Sequence, residues 1–235
     1  MWSWSRKMLK TRAKEILKMR YWPIFIAIVS IIAGITSIIT VFSLVVSRFI
    51  SNARLVFPVI GIFIVLFIIF VINVIEVGRC RYMIQARQGS NKLRILFWAF
   101  RKGRYMKVVT TMLICGLYIF VSYLFLIIPG IMRGLEYYYV PYILAENPDI
   151  EPLGAMELSK KMTDGEKFKI FILELSFLGW VLIVALASEI GRLVGGIGNL
   201  VRIIGSIFIA LYTVATSAEL YAFVRERLIA NDITN

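Results

Sequence analysis

The chain has 235 residues, 60% of them hydrophobic and 17% charged, with a mean hydropathy of +0.82 and a net charge of +13. Soluble domains are about 45–50% apolar and about 25% charged, and a single core could not hide this much apolar side chain, so an ordinary soluble globule is excluded and an integral membrane protein is expected. Histidine is absent and the only cysteines, Cys80 and Cys115, lack CxxC spacing, which removes His-dependent chemistry and points away from a disulfide or a zinc site.

The first predicted element is a cytosolic amphipathic helix within residues 1–20. Met8, Leu9, Ala13, Ile16 and Leu17 share one face, and Lys7, Lys10, Lys14 and Lys18 the other, with Trp2, Trp4 and Trp22 as interfacial anchors. A basic helix of this kind is expected to lie in the headgroup plane and to favour anionic lipid. The uncharged run that follows is too long for a signal-peptide core, so no cleavable signal is expected. A spanning helix needs about 20 mainly apolar residues, and three uncharged runs predict spans near 22–47, 55–78 and 106–128. Between the second and third lies another amphipathic stretch, Asn91–Lys102. Its Leu93, Leu96, Phe97 and Phe100 fit a helical stripe, with Arg94, Arg101 and Lys102 opposite and Ser90 as N-cap.

Pro129-Gly130 predicts a break between helices. The next stretch, 131–146, is short and carries Arg133, Glu136 and Pro141; a fourth span and a re-entrant piece both fit its hydropathy. Pro141 predicts a kink with tyrosine hydroxyls from Tyr137, Tyr138, Tyr139 and Tyr142 nearby. Pro152–Met162 is a third amphipathic helix, with Pro152 in its first turn and mixed charges suited to packing on protein. Two further spans are expected near 168–190 and 201–224, apolar except for Glu174 and Glu219.

Charge favours six spans. With an internal N-terminus, 22 of the 27 Lys and Arg fall inside, against 18 for five spans. A repeat of pattern agrees: each pair of spans follows an amphipathic segment, and the returning helices end in Ile75-Glu76-Val77, Ala145-Glu146-Asn147 and Ala218-Glu219-Leu220. Gly103 and Gly165 stand where helix C-terminal caps are expected. The expected fold is therefore all-α and polytopic. It is one domain over 1–235, with six transmembrane helices in three hairpins, each preceded by an interfacial helix.

Ionisable groups inside a span are functional candidates. Glu76, Arg79, Glu174, Glu219 and Arg225 form a candidate inner-leaflet cluster; the alternative is that these acids simply pair with nearby Arg or Lys. Arg133 and Glu136 are expected as an outer-side ion pair. Lys7, Lys10, Lys14, Lys18, Arg94, Arg101 and Lys102 are candidates for binding anionic lipid or a membrane partner. Small-residue stripes at Ala27, Ser30, Gly34 and Ser37, and at Ser206, Ala210, Thr213 and Ser217, suit close helix packing. No phosphate-binding loop, HExxH or nucleophile elbow occurs, and Ser159-Lys160 is the sole Ser-Lys dipeptide. No metal, cofactor or nucleic-acid partner is expected.

Ile128-Pro129-Gly130 through Pro141-Tyr142-Ile143-Leu144-Ala145-Glu146-Asn147-Pro148, then Ala155–Gly165, Leu175–Trp180 and Ala218–Ala222, resemble a family of uncharacterised bacterial integral-membrane proteins. The order of these motifs is also similar to the membrane domain attached to some glycerophosphodiester phosphodiesterases, without their catalytic barrel. The resemblance implies a multi-pass module of a bacterial cytoplasmic membrane and supplies no catalytic residues. Two functions remain open: a non-enzymatic scaffold or accessory protein whose basic cytosolic face binds anionic lipid or a partner, and a small transporter or export and immunity factor using Glu174 and Glu219.

Overall fold

The computed structural model describes residues 4–49, 53–89 and 92–234. The expected anchor Trp2 and cap Ser90 lie outside these residues, as do the side chains of Ile16, Trp22, Ala27 and Ser30. The described residues form helices and turns, with no strand. Four helical segments are long and apolar enough to cross a membrane: Phe57–Arg87, Tyr105–Phe125, Lys167–Leu193 and Gly198–Ala230. The protein is thus an all-α membrane protein.

The amphipathic N-terminus does not form a separate interfacial helix. It runs without a break into the first apolar run as α1, Arg6–Phe49, because no Gly or other breaker separates Lys18 from the apolar run, and Pro23 alone does not interrupt the helix. Leu9 and Ala13 are fully buried. The Tyr212 hydroxyl donates to the Lys10 carbonyl at 3.4 Å, which places this end against the last helix. The apolar stripe expected to sit in lipid is occupied by protein.

The next helix also runs longer than expected. α2 (Ala53–Phe67) passes through a π-helical turn, Ile68–Ile72, into α3 (Asn73–Arg87). The wider turn redirects backbone carbonyls, and the Tyr105 hydroxyl donates to the Phe70 carbonyl at 2.9 Å.

The segment Leu93–Phe100 is a 3₁₀ helix and not the expected α-helix. Three residues per turn put i and i+3 on one side. Leu96 and Ala99 are therefore buried on one side, while Phe97 and Phe100 share another and turn outward, Phe97 being 61% exposed; Leu93, at the start of the helix, is exposed as well. The expected stripe is split between two faces. The inner face rests on α3 at Gly78, where a Cβ would lie 1.9 Å from the Leu96 carbonyl oxygen.

α4 (Tyr105–Phe125) ends at Leu126, whose extended backbone (φ −160°, ψ 151°) makes the break. Pro129-Gly130 is not the break. Pro129 lies in the first turn of α5 (Ile127–Glu136), where its missing N–H would have no intrahelical partner in any case. α5 returns along α4, with Gly130 against the Tyr123 ring. The chain then turns at Tyr137–Tyr139 and resumes as α6, Val140–Glu146. Pro141 is the second residue of α6 and starts that helix; it does not kink a continuous one. α7 (Pro152–Thr163) buries Ala155, Met156, Ser159, Met162 and Thr163, packing on protein as its mixed charge implies. Gly103 and Gly165 have φ of 87° and 70°, the left-handed conformation that turns after a helix favour. α8 (Lys167–Gly195) and α9 (Gly198–Thr234) complete the bundle, and Thr216–Val224 of α9 is buried throughout.

The candidate polar layer

Glu76, Glu146 and Glu219, the three glutamates of the repeated pattern, each meet a guanidinium. Glu76 is gripped by Arg79 one turn along α3, through Nε at 2.7 Å and through Nη2. Glu146 of α6 meets Arg225 of α9 at 2.8 Å, and Glu219 of α9 meets Arg87 of α3 at 2.6 Å. The last two pairs tie α6 and α3 to α9. Burying a carboxylate costs several kcal/mol unless a cation and hydrogen bonds compensate it, which accounts for the pairing. Tyr221 adds a hydroxyl hydrogen bond to Glu146 at 3.0 Å and stacks on Tyr142, ring centroids 4.8 Å apart.

Glu174 stands differently. Among the described residues it has no ion pair; its Oε1 accepts from the Tyr138 hydroxyl at 2.7 Å, and that hydroxyl lies 2.8 Å from Ser217 Oγ. The five residues expected as one cluster are therefore distributed. Glu76 and Arg79 form a local pair, Glu219 and Arg225 each take a partner from another helix, and Glu174 sits in a tyrosine–serine site. Neutral pairing describes Glu76 and Glu219 but not Glu174.

Arg133 and Glu136 form the expected ion pair, at 2.6 Å, and Lys167 of α8 adds an unexpected second cation to the same carboxylate at 2.8 Å. Arg133 was expected on the outer side and Lys167 on the inner, yet both grip one carboxylate. The reason is that α5, ten residues long, extends only about 15 Å and brings Glu136 back to the first turn of α8. Glu166 bridges to Arg227 of α9 at 2.7 Å and to Lys169 at 3.0 Å. Fully buried Ser159 closes the gap between α5 and α6: its hydroxyl accepts from the Tyr139 N–H at 3.1 Å and donates to the Glu136 carbonyl at 2.7 Å. A hydroxyl held in this way is a structural staple, which removes the Ser159-Lys160 pair as a nucleophile candidate. The sequence places these tyrosines around a kink at Pro141; the partners that Tyr138 and Tyr139 find, Ser217 and Ser159, lie 79 and 20 residues away and carry no local signal.

The basic candidates divide. Lys10 Nζ donates to Ser176 Oγ at 2.9 Å and lies 4.8 Å from the Phe177 ring centre, and its pKa is held below the ordinary lysine value by burial and by the nearby charges of Arg6 and Lys14. Lys7, Lys14, Lys18, Arg94, Arg101 and Lys102 are exposed, and among the described residues none of them is in an ion pair. No group of acidic or thiol side chains among the described residues could hold a metal.

Removing the Glu219 charge leaves Arg87 without its partner. Because the Arg87 side chain is 30% exposed it can turn toward water, so Glu219→Gln is expected to cost about 1–2 kcal/mol. Replacing both partners by Arg87→Met/Glu219→Leu should recover most of the loss in a thermal melt. A double variant no more stable than the single one would show that the pair is not the source of the effect.

Long apolar helices tied to one another by ion pairs define a helical membrane protein. Within that class, residues 89–228, more than half of the chain, match a family model described as "Protein of unknown function (DUF975)", and the chain belongs to that family. No curated protein and no solved structure matches it. Nothing in these comparisons ties the chain to the membrane domain of the glycerophosphodiester phosphodiesterases, so that part of the resemblance has no support.

Proposed function

We propose that this protein is a non-enzymatic scaffold or accessory protein of a bacterial cytoplasmic membrane, with a basic cytosolic face that binds anionic lipid or a membrane partner. In this reading six spans form three hairpins. The apolar part of α1 is the first span, α5 and α6 together make a broken fourth, and both termini are cytosolic. Contacts between the four segments that this arrangement puts inside, 1–20, 79–107, 147–169 and 225–235 with the adjoining Glu146, support it. Lys169 lies over the Trp4 ring, Arg227 meets Glu166, Arg225 meets Glu146, and Lys107 meets Asp149, so these segments gather at one end.

The observation that carries the function is the contrast in charge at that end. The buried acids there are taken up by cations within the bundle, while Lys7, Lys14, Lys18, Arg94, Arg101 and Lys102 project outward and none is in an ion pair among the described residues. Unneutralised surface cations next to a membrane attract anionic headgroups, each by about 1 kcal/mol. The transporter alternative needs Glu174 and Glu219 in one wet cavity. Their different partners, Tyr138 and Arg87, favour the scaffold.

The test is co-purification from gently solubilised native membranes, comparing wild type with Lys7→Gln/Lys14→Gln/Lys18→Gln. Lys10 is left intact because it contacts Ser176. A protein or anionic lipid retained by wild type and lost by the triple variant is expected. A small solute lost with Glu174→Gln, and indifferent to the lysines, would replace this reading with transport.

A further inference from the structure

We propose that Arg81, Arg104 and Trp98 form a binding site for the phosphate of an anionic phospholipid, with Phe97, Phe100 and Met106 entering the bilayer beside it. The site rests on the reading that the basic end faces anionic lipid, and names where a lipid is held.

Two guanidinium groups converge on one indole. The Arg81 guanidinium carbon is 3.7 Å from the Trp98 ring centre and that of Arg104 is 4.6 Å from it. A single cation over an indole is stabilised by the ring quadrupole, but the second brings like-charge repulsion with it. Among the described residues neither arginine has a carboxylate partner, and the nearby Glu146 is already held by Arg225 and Tyr221. Arg81 Nη1 donates to the Ala145 carbonyl, leaving its Nε buried without a hydrogen-bond partner. The place thus has two positive charges and an unused donor, and the two carboxylates near it, Glu146 and Asp149, are each in an ion pair with another cation, Arg225 and Lys107. A phosphate answers both, because its oxygens accept guanidinium hydrogen bonds in the fork geometry that arginine presents.

The surroundings identify the phosphate as part of a lipid. Phe97 and Met106 are 61% and 63% exposed. Phe100 stacks on Tyr105, with ring centres 5.8 Å apart, and meets Phe97 in a tilted contact at 6.3 Å. These apolar groups flank exposed Arg101 and Lys102, the composition of an element at a bilayer interface, with aromatic rings at the acyl boundary and cations at the headgroups. The 3₁₀ geometry is what turns them outward, since the same residues on an α-helix would face one side with Leu96.

The test uses the full chain in lipid nanodiscs containing phosphatidylglycerol or phosphatidylcholine alone, followed by native mass spectrometry of retained lipid. Arg104→Gln removes one cation and spares Arg81, which holds α6. Wild type is expected to retain phosphatidylglycerol over phosphatidylcholine, and Arg104→Gln to weaken that retention about tenfold, the scale of a charge-assisted contact. Phe97→Ser/Phe100→Ser should weaken retention of both lipids. Unchanged phosphatidylglycerol retention in Arg104→Gln overturns the site. Inorganic phosphate competing as well as the lipid overturns the lipid assignment in favour of a free anion. Lys7→Gln/Lys14→Gln/Lys18→Gln serves as the parallel arm: retention lost there but kept in Arg104→Gln leaves the basic face standing and removes this site.

Discussion

Gly78→Ala is expected to lower stability by about 3 kcal/mol, the upper end of what overpacking usually costs. The added Cβ would meet the Leu96 carbonyl oxygen at 1.9 Å and its carbon at 2.9 Å. Both are backbone atoms, so no side chain can swing away. Either α3 bends or the 3₁₀ helix lifts off. Cys80 and Cys115 are free and buried, which makes a thiol-reactive dye a direct reporter. At about 2–4 °C per kcal/mol for a chain of this size, the midpoint of Cys115 labelling should fall by about 6–12 °C. Cys80, two residues from Gly78, should label faster even below the melt if the 3₁₀ helix detaches locally. A midpoint within about 2 °C of wild type would mean that the helix does not rest on α3. Lifting this element would also move Trp98 off Arg81, so the variant should lose the phosphatidylglycerol preference as well.

The features read correctly from the sequence are those set by composition and by local steric rules. The apolar runs between charges marked the long helices, because hydropathy over about 20 residues depends on no distant contact. Gly103 and Gly165 marked turns because few other residues adopt a left-handed backbone cheaply. The mixed charge of Pro152–Met162 marked a helix that packs on protein.

The features misread were those where two helix types or two partners compete for the same residues. Leu93, Leu96, Phe97 and Phe100 satisfy a period of 3.6, but Gly78 offers space for a period of 3, and only the fold brings Gly78 there. The N-terminal stripe fits lipid and fits a protein groove equally well, and the groove of α8 and α9 is assembled from residues more than 150 positions away. Pro129 reads as a break and Pro141 as a kink, although a proline in a first turn is as compatible with a helix start as with an interruption.

The polar layer was legible as a set of acids and illegible as a set of pairs. Glu76, Glu146 and Glu219 announced themselves by similar surroundings, and Glu76 found its cation within one turn. The choice of Arg87 for Glu219 and Arg225 for Glu146 reflects how α3, α6 and α9 dock. That information lies in packing of the buried face of α9, not in any short motif.

Ser159→Ala should be as damaging as any single change in this layer, because one hydroxyl serves two backbone groups at the break between α5 and α6. Ser159 is fully buried. Its loss leaves the Tyr139 N–H and the Glu136 carbonyl without that partner, at about 1–3 kcal/mol for each buried group left unpaired. The two together predict a loss of about 2–5 kcal/mol. The effect extends to charge, since the Glu136 backbone positions the carboxylate that Arg133 and Lys167 grip. Two substitutions separate the hydrogen bonds from mere volume. Ser159→Cys keeps nearly the same size with a weak donor and acceptor, and should fall between wild type and alanine. Ser159→Gly removes both volume and hydroxyl, and should be the worst. Thermal midpoints following the order serine, cysteine, alanine, glycine, accompanied by faster amide exchange at Tyr139, support a stapled break. Alanine matching serine, with Tyr139 still protected, would mean that the turn between α5 and α6 is held by the surrounding tyrosine rings, and that the polar layer depends on packing more than on this hydroxyl.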